Sequence, residues 1–132
     1  MPATTTRSTS GSRRQTRARW GEALAALCLR LKGYHIEARN WHCSLGELDL
    51  VCNDGETLVF VEVKTRASRK AGWPEDAVDR RKQARLVRLA EAYLTKHGVE
   101  ARPCRFDVVA VEQNGLFPAV RHLKAAFRAD GL

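Results

Sequence analysis

The stretch GELDLVCNDGETLVFVEVKTR, residues 46–66, decides the fold. Two runs rich in Val and Leu flank Asp54-Gly55, a dipeptide that favours a tight hairpin turn. With Asp54-Gly55 as a two-residue turn, Asp49 faces Phe60 and Glu47 faces Glu62. Side chains alternate along a strand, so Glu47, Asp49, Glu62 and Lys64 share one face of the hairpin. Leu48, Leu50, Val59, Val61 and Val63 share the other, which is apolar throughout and is expected to cover the core.

Three acids and a lysine on one small face call for a counter-ion. Two like charges about 5 Å apart repel by about 3 kcal/mol at an effective dielectric of about 20. Lys64 relieves part of that, and a hard divalent cation relieves more. Carboxylates from Asp49 and Glu62, with the carbonyl of Val63 as a further ligand, suit Mg²⁺ or Mn²⁺. Such a set serves metal-assisted phosphodiester hydrolysis, with Lys64 orienting or deprotonating the attacking water or stabilising charge on the phosphorane. A solvated Glu–Lys pair is the plainer explanation of ExK alone, contributing about 0–1 kcal/mol. It leaves Asp49 on the facing strand unexplained.

Composition narrows the partners. The chain has 132 residues, enough for one domain with a modest core, and 44% of them are hydrophobic. Twenty-three Lys and Arg against 15 Asp and Glu give a charge of +8, a field that attracts polyanions, nucleic acid first among them. Cys28, Cys43, Cys52 and Cys104 form no CxxC pair and suit a reducing compartment. No apolar run has the length of a membrane span, and the first twenty residues lack the apolar core of a secretion signal. A cytoplasmic protein without a membrane partner is expected.

Working outward from the hairpin, residues 1–18 carry Thr, Ser, Gly and Arg without an acid, and read as a disordered basic arm ahead of one domain over residues 19–132. Leu24, Leu27, Cys28 and Leu31 recur at helical spacing before Gly33, which predicts a helix over residues 19–32. YHIEARNW, residues 34–41, reads as a first strand. Residues 65–77 form a basic loop containing Trp73, and a second helix follows over residues 78–96. RFDVVAV, residues 105–111, is a strand; Asn114-Gly115 makes a turn, and residues 119–123 a short strand. The order α-β-β-β-α-β describes an α/β fold built on one mixed sheet flanked by helices. Arg81, Arg85 and Arg88 lie on the solvent side of the second helix and suit phosphate contacts, as do Arg66, Arg69 and Lys70 just beyond the Glu62–Lys64 strand. Asp107, an acid in an apolar strand, supports either the sheet edge or the site from behind.

GELDL followed by FVEVK resembles the PD-(D/E)xK nuclease core. With Gly21-Glu22, Asn40-Trp41, Thr65-Arg66, Lys82-Gln83 and RFDV at residues 105–108, the chain from Trp20 to Phe127 resembles a small uncharacterised bacterial family of predicted endonucleases, distantly related to archaeal Holliday-junction resolvases. The resemblance implies a restriction-endonuclease-like fold. It also implies Asp49, Glu62 and Lys64 as the catalytic set, Glu22 as an accessory acid near the metal, and Lys82 and Gln83 reaching toward the scissile phosphate. Glu47 stands two residues before Asp49 and takes its place if the hairpin carries a bulge. The expected function is metal-dependent hydrolysis of DNA, selective for branched forms, by a homodimer if two strands are cut together. A nucleic-acid-binding protein with little catalysis is the alternative.

Overall fold

The computed structural model describes residues 9–66 and 78–129. The elements, in chain order, are α1 (Thr9–Leu31), β1 (His35–Cys43), β2 (Gly46–Asp54), β3 (Thr57–Arg66), α2 (Arg80–His97), β4 (Cys104–Asn114) and β5 (Phe117–Phe127). The strands form one sheet in the order β1-β2-β3-β4-β5. Only β3 and β4 are parallel, and α2 makes the crossover between them. This is the expected restriction-endonuclease-like arrangement, with β5 an 11-residue strand where only a short one was expected.

Three expectations need correction. The hairpin turn is Gly55-Glu56, not Asp54-Gly55: Asp54 pairs with Thr57, and Gly55 takes the left-handed turn position at φ 62. Phe60 therefore lies opposite Val51, and Leu50 opposite Val61. The shift is two residues, so Glu47, Asp49, Glu62 and Lys64 keep their common parity, and Asp49 moves level with Glu62.

Second, the hairpin is apolar on both faces. Ala25, Ala26 and Leu29 of α1 pack on Leu50, Cys52, Val59 and Val61. On the opposite face, Leu86, Leu89, Ala90 and Tyr93 of α2 pack on Val51, Leu58 and Phe60. A strand beside a parallel neighbour is covered on both sides, which is why Leu58 to Glu62 are buried without alternation.

Third, α1 runs Thr9–Leu31, so the helix expected over residues 19–32 begins ten residues earlier; residues 1–8 lie outside the described residues. Arg, Gln and Ala between Arg13 and Arg19 are good helix formers that extend an existing nucleus. The helix also turns a different face inward, since Leu27 and Leu31 are exposed while Ala25, Ala26 and Leu29 meet the sheet. Small side chains let the helix axis sit close to the strands.

A buried polar network fastens the far side of the sheet. Asp107 on β4 is fully buried and accepts hydrogen bonds from Arg105 Nε (3.1 Å), His122 Nε2 (2.7 Å) and the backbone N–H of Ala125 (2.9 Å). Lys32 Nζ donates to His122 Nδ1 at 3.0 Å, which fixes the tautomer whose Nε2–H points at Asp107. Arg105 also binds Asp54 Oδ2 (2.9 Å) and the Tyr34 hydroxyl. The pairing steps from Phe106–Phe127 to Val108–Leu123, so β5 bulges opposite Asp107, with Ala125 left-handed at φ 51. The carboxylate receives the N–H that the bulge frees. Asp107 thus anchors β5 and, through His122, Lys32 just past the end of α1, and none of these bonds reaches Glu47, Asp49 or Glu62.

Candidate metal centre

The acids gather where β2 leaves β3. Their paired register ends at Leu50–Val61, and one step on, Asp49 Oδ2 accepts the Val63 N–H at 2.8 Å in place of a ladder bond. Leu48 packs against the α2 cluster and Leu50 against the α1 cluster, so β2 turns over at Asp49. That turn sets its carboxylate beside Val63 and toward Glu22 of α1.

Glu22 arrives from α1 and Glu47 from the start of β2. One carboxylate oxygen from each of Glu22, Glu47 and Asp49 lies within 4.8 Å of the other two. Asn40 of β1, with its amide nitrogen turned to these acids, donates to Glu22 Oε2 at 2.7 Å and Glu47 Oε1 at 3.0 Å. The orientation follows from the bonding: the reverse would set oxygen against oxygen. Glu62, almost fully buried on β3, is held by Lys82 Nζ at 2.8 Å and Lys64 Nζ at 3.6 Å.

The electrostatics follow from this crowding. Burial, then the charge of Glu62, pushes Asp49 up to about 7; Glu22 and Glu47 add to the rise, and the Val63 N–H opposes it. Burial and Glu47 raise Glu22, with Asn40 opposing. Lys64 is lowered, first by burial and then by Lys82 beside it, despite the pull of Glu62 and Asp49. Burial works against the charge on Lys82 too, but its bonds to Glu62 and Lys64 outweigh that and leave it raised. One lysine is thus a firm cation and the other sheds its proton more readily.

The donors fit a hard cation: oxygen ligands only, converging, with like charges crowded together. Glu22, Glu47 and Asp49 are the residues that would hold it. Glu62, expected as a ligand, lies beside this trio with its carboxylate on the lysines. Val63, expected to offer its carbonyl, contributes its N–H to Asp49.

Asp49 gives a pH dependence with a definite sign. A raised folded-state pKa makes the folded protein bind the extra proton between about 4 and about 7, so this stability is present below the unfolded pKa and lost as pH rises through about 7. Three pH units correspond to up to about 4 kcal/mol. Cation-free protein is expected to melt lower at about pH 8 than at about pH 5.5, with millimolar Mn²⁺ removing most of the difference. Equal melting temperatures across that range in a Mn²⁺-free thermal scan would contradict the crowding.

Of the other sequence-predicted residues, Arg81, Arg85 and Arg88 are exposed on α2, and Arg66 is half-buried at the end of β3. Gln83 donates to the Val78 carbonyl at 2.9 Å and fastens the start of α2, whose N-cap is Asp79. Arg69, Lys70 and Trp73 lie outside the described residues. Two contributors escaped the sequence reading of the residues themselves: Asn40, and Gly21, whose part is steric. A Cβ on Gly21 would stand 2.1 Å from Thr65 Oγ1 and 3.2 Å from Thr65 Cβ and Cγ2. The bare glycine lets α1 touch β3 and brings the next residue, Glu22, to the acids. Gly21→Ala is expected to lower stability by about 1–3 kcal/mol in urea unfolding and to weaken Mn²⁺ binding, because α1 must lift. Unchanged values for both would remove this contact from the account.

A family model described as "Uncharacterised protein family UPF0102" matches residues 21–111. The chain belongs to the UPF0102 family. Among its relatives, a UPF0102 protein of Moorella thermoacetica is 47% identical over 86% of this chain and 97% of its own length. A UPF0102 protein of Beutenbergia cavernae is 52% identical over 80% and 90%. A third, from Symbiobacterium thermophilum, is 55% identical over 70% and 78%. The UPF0102 match begins at Gly21, the helix–strand contact, and takes in Asn40, the four acids and both lysines of the site. No helix among the described residues is long and apolar enough to cross a membrane.

Proposed function

We propose that this chain is a metal-dependent endonuclease that hydrolyses phosphodiester bonds in DNA and selects branched forms. The observation that carries the reading is the meeting of Glu22, Glu47 and Asp49 within 4.8 Å beside Glu62 and the two lysines that reach it, Lys82 at 2.8 Å and Lys64 at 3.6 Å. Mg²⁺ or Mn²⁺, when bound, supplies Lewis-acid polarisation of the scissile phosphate. Lys64, the more easily deprotonated lysine, takes the proton of the attacking water or steadies charge on the phosphorane. Lys82 keeps its proton, neutralises Glu62 and meets a non-bridging phosphate oxygen. Arg81, Arg85 and Arg88 contact backbone phosphates along α2, with Arg66, Arg69 and Lys70 continuing the track. Residues 19–132 act as one nuclease domain in the cytoplasm, and paired cuts at a junction require two copies.

One observation favours a second reading. Lys82 already satisfies Glu62 at 2.8 Å, so part of the acid set is balanced without a cation. A nucleic-acid-binding protein with little catalysis would have that property. Mg²⁺ or Mn²⁺ titrations on linear, single-stranded, flapped and four-way DNA separate the two. Metal-dependent cleavage, fastest on branched DNA, is expected; binding without cleavage on every substrate moves the protein to the second reading.

A further inference from the structure

Asn40 stands in β1 between the pairs Arg39–Leu50 and Trp41–Leu48, which places it across the ladder from Asp49. It has φ 52, one of two non-glycine residues in the left-handed region among the described residues. That conformation is uncommon in a strand, and asparagine is one of the few side chains that enters it readily. Here it turns the amide out of the usual alternation and onto Glu22 and Glu47, which come from different elements. An amide is two-ended: one end donates two N–H bonds, and the other is a carbonyl oxygen of the kind that ligates hard cations. A half-turn about its last side-chain bond exchanges them at nearly the same position.

We propose that Asn40 is the site's exchangeable partner: its nitrogen holds Glu22 and Glu47 together before a cation binds, and its oxygen turns inward as a further ligand once the cation is present. This rests on the metal-dependent reading above and adds a residue that places the acids and completes the ligand set. The nitrogen stands where positive charge is needed while the site has no cation, so the carboxylates stay gathered and the cation meets a preformed cup.

The test compares Asn40→Gly and Asn40→Asp with wild type by Mn²⁺ calorimetry, electron paramagnetic resonance of free Mn²⁺, and thermal melts with and without Mn²⁺. Glycine keeps the left-handed backbone and lacks the amide; aspartate tolerates that backbone, keeps an oxygen and lacks the N–H. Asn40→Gly is expected to bind Mn²⁺ about 10- to 100-fold more weakly. Asn40→Asp is expected to melt below wild type without cation and to show the larger Mn²⁺-induced rise. A residue serving only to shape the strand predicts wild-type Mn²⁺ affinity in both, and that result overturns the proposal. Should the aspartate variant not fold, the affinity of the glycine variant decides alone. Wild-type protein that binds no Mn²⁺ overturns the metal reading and this inference with it, whereas wild-type binding left unchanged in Asn40→Gly overturns the inference only.

Discussion

Replacing Lys64 with alanine is expected to lower Mg²⁺-dependent DNA cleavage by about 10³-fold, with the fold intact. The side chain projects from β3 beyond the buried run and is only half-buried, so its removal opens no core cavity. Its ammonium lies 3.6 Å from Glu62, and burial together with Lys82 makes its proton easier to lose. That combination suits a group that exchanges a proton during the reaction. Lys82→Ala is the informative companion, because Lys82 has the opposite displacement and a direct 2.8 Å pair with Glu62. Its loss is expected to cost less in rate, about 10-fold, and to appear mainly in substrate affinity. Single-turnover rates for both variants, measured against pH, distinguish the roles. A larger rate loss in Lys82→Ala would exchange the two assignments.

Asp107→Ala is expected to destabilise the protein by about 3–5 kcal/mol, as breaking a buried ion pair does. The carboxylate is fully buried, and its removal strands the Nε2–H of His122, one branch of Arg105 and the N–H of Ala125. Burial by itself would raise the Asp107 pKa, but the bonds from His122, Arg105 and Ala125 hold it below the usual carboxylate value. For an acid displaced downward, the stabilisation is present above the unfolded pKa of about 3.9 and lost as pH falls through the folded one. The variant should therefore unfold at lower urea and also lose part of the wild type's acid transition. A loss below about 1 kcal/mol would mean the bulge and His122 find other partners.

Much of this architecture is legible in residues 46–66 because strand parity survives errors of register. An even shift of the turn kept Asp49, Glu62 and Lys64 in the same parity although the paired residues were wrong. Leu48, expected on the face of Leu50, lies on the opposite one because β2 turns over at Asp49. The turn itself was misplaced because Asp54-Gly55 fits a two-residue loop as well as Gly55-Glu56 does, and only the observed pairing separates them. The burial of both hairpin faces was hidden because the acids interrupt a face that is otherwise apolar at Val51, Leu58 and Phe60. In α1, Leu27 and Leu31 outweigh Ala25 and Ala26 in any hydrophobic pattern, yet close approach favours the small residues.

The candidate site was legible in kind and less so in membership. Glu47, Asp49, Glu62 and Lys64 follow from alternation. Glu22 came through the family resemblance, since nothing in a helix pattern marks one acid as meeting a distant strand. Lys82 also came through the resemblance, as a residue reaching toward the scissile phosphate, and only the crossover of α2 sets it on Glu62. Asn40 left a faint signal, an asparagine in mid-strand where β-branched residues are preferred. The bonds it makes depend on a backbone angle that sequence does not display.

If the acids around Asp49 form a working cation site for phosphodiester hydrolysis, removing the charge of Asp49 must cost the metal response. Cleavage of a four-way DNA junction should be followed as Mn²⁺ is titrated into wild type and Asp49→Asn at matched folded concentration. No cleavage is expected in chelator, with a saturable rise with Mn²⁺ in wild type and a rate lower by at least about 10²-fold in the variant. Cleavage that survives chelation, or that is undiminished in Asp49→Asn, would contradict such a site.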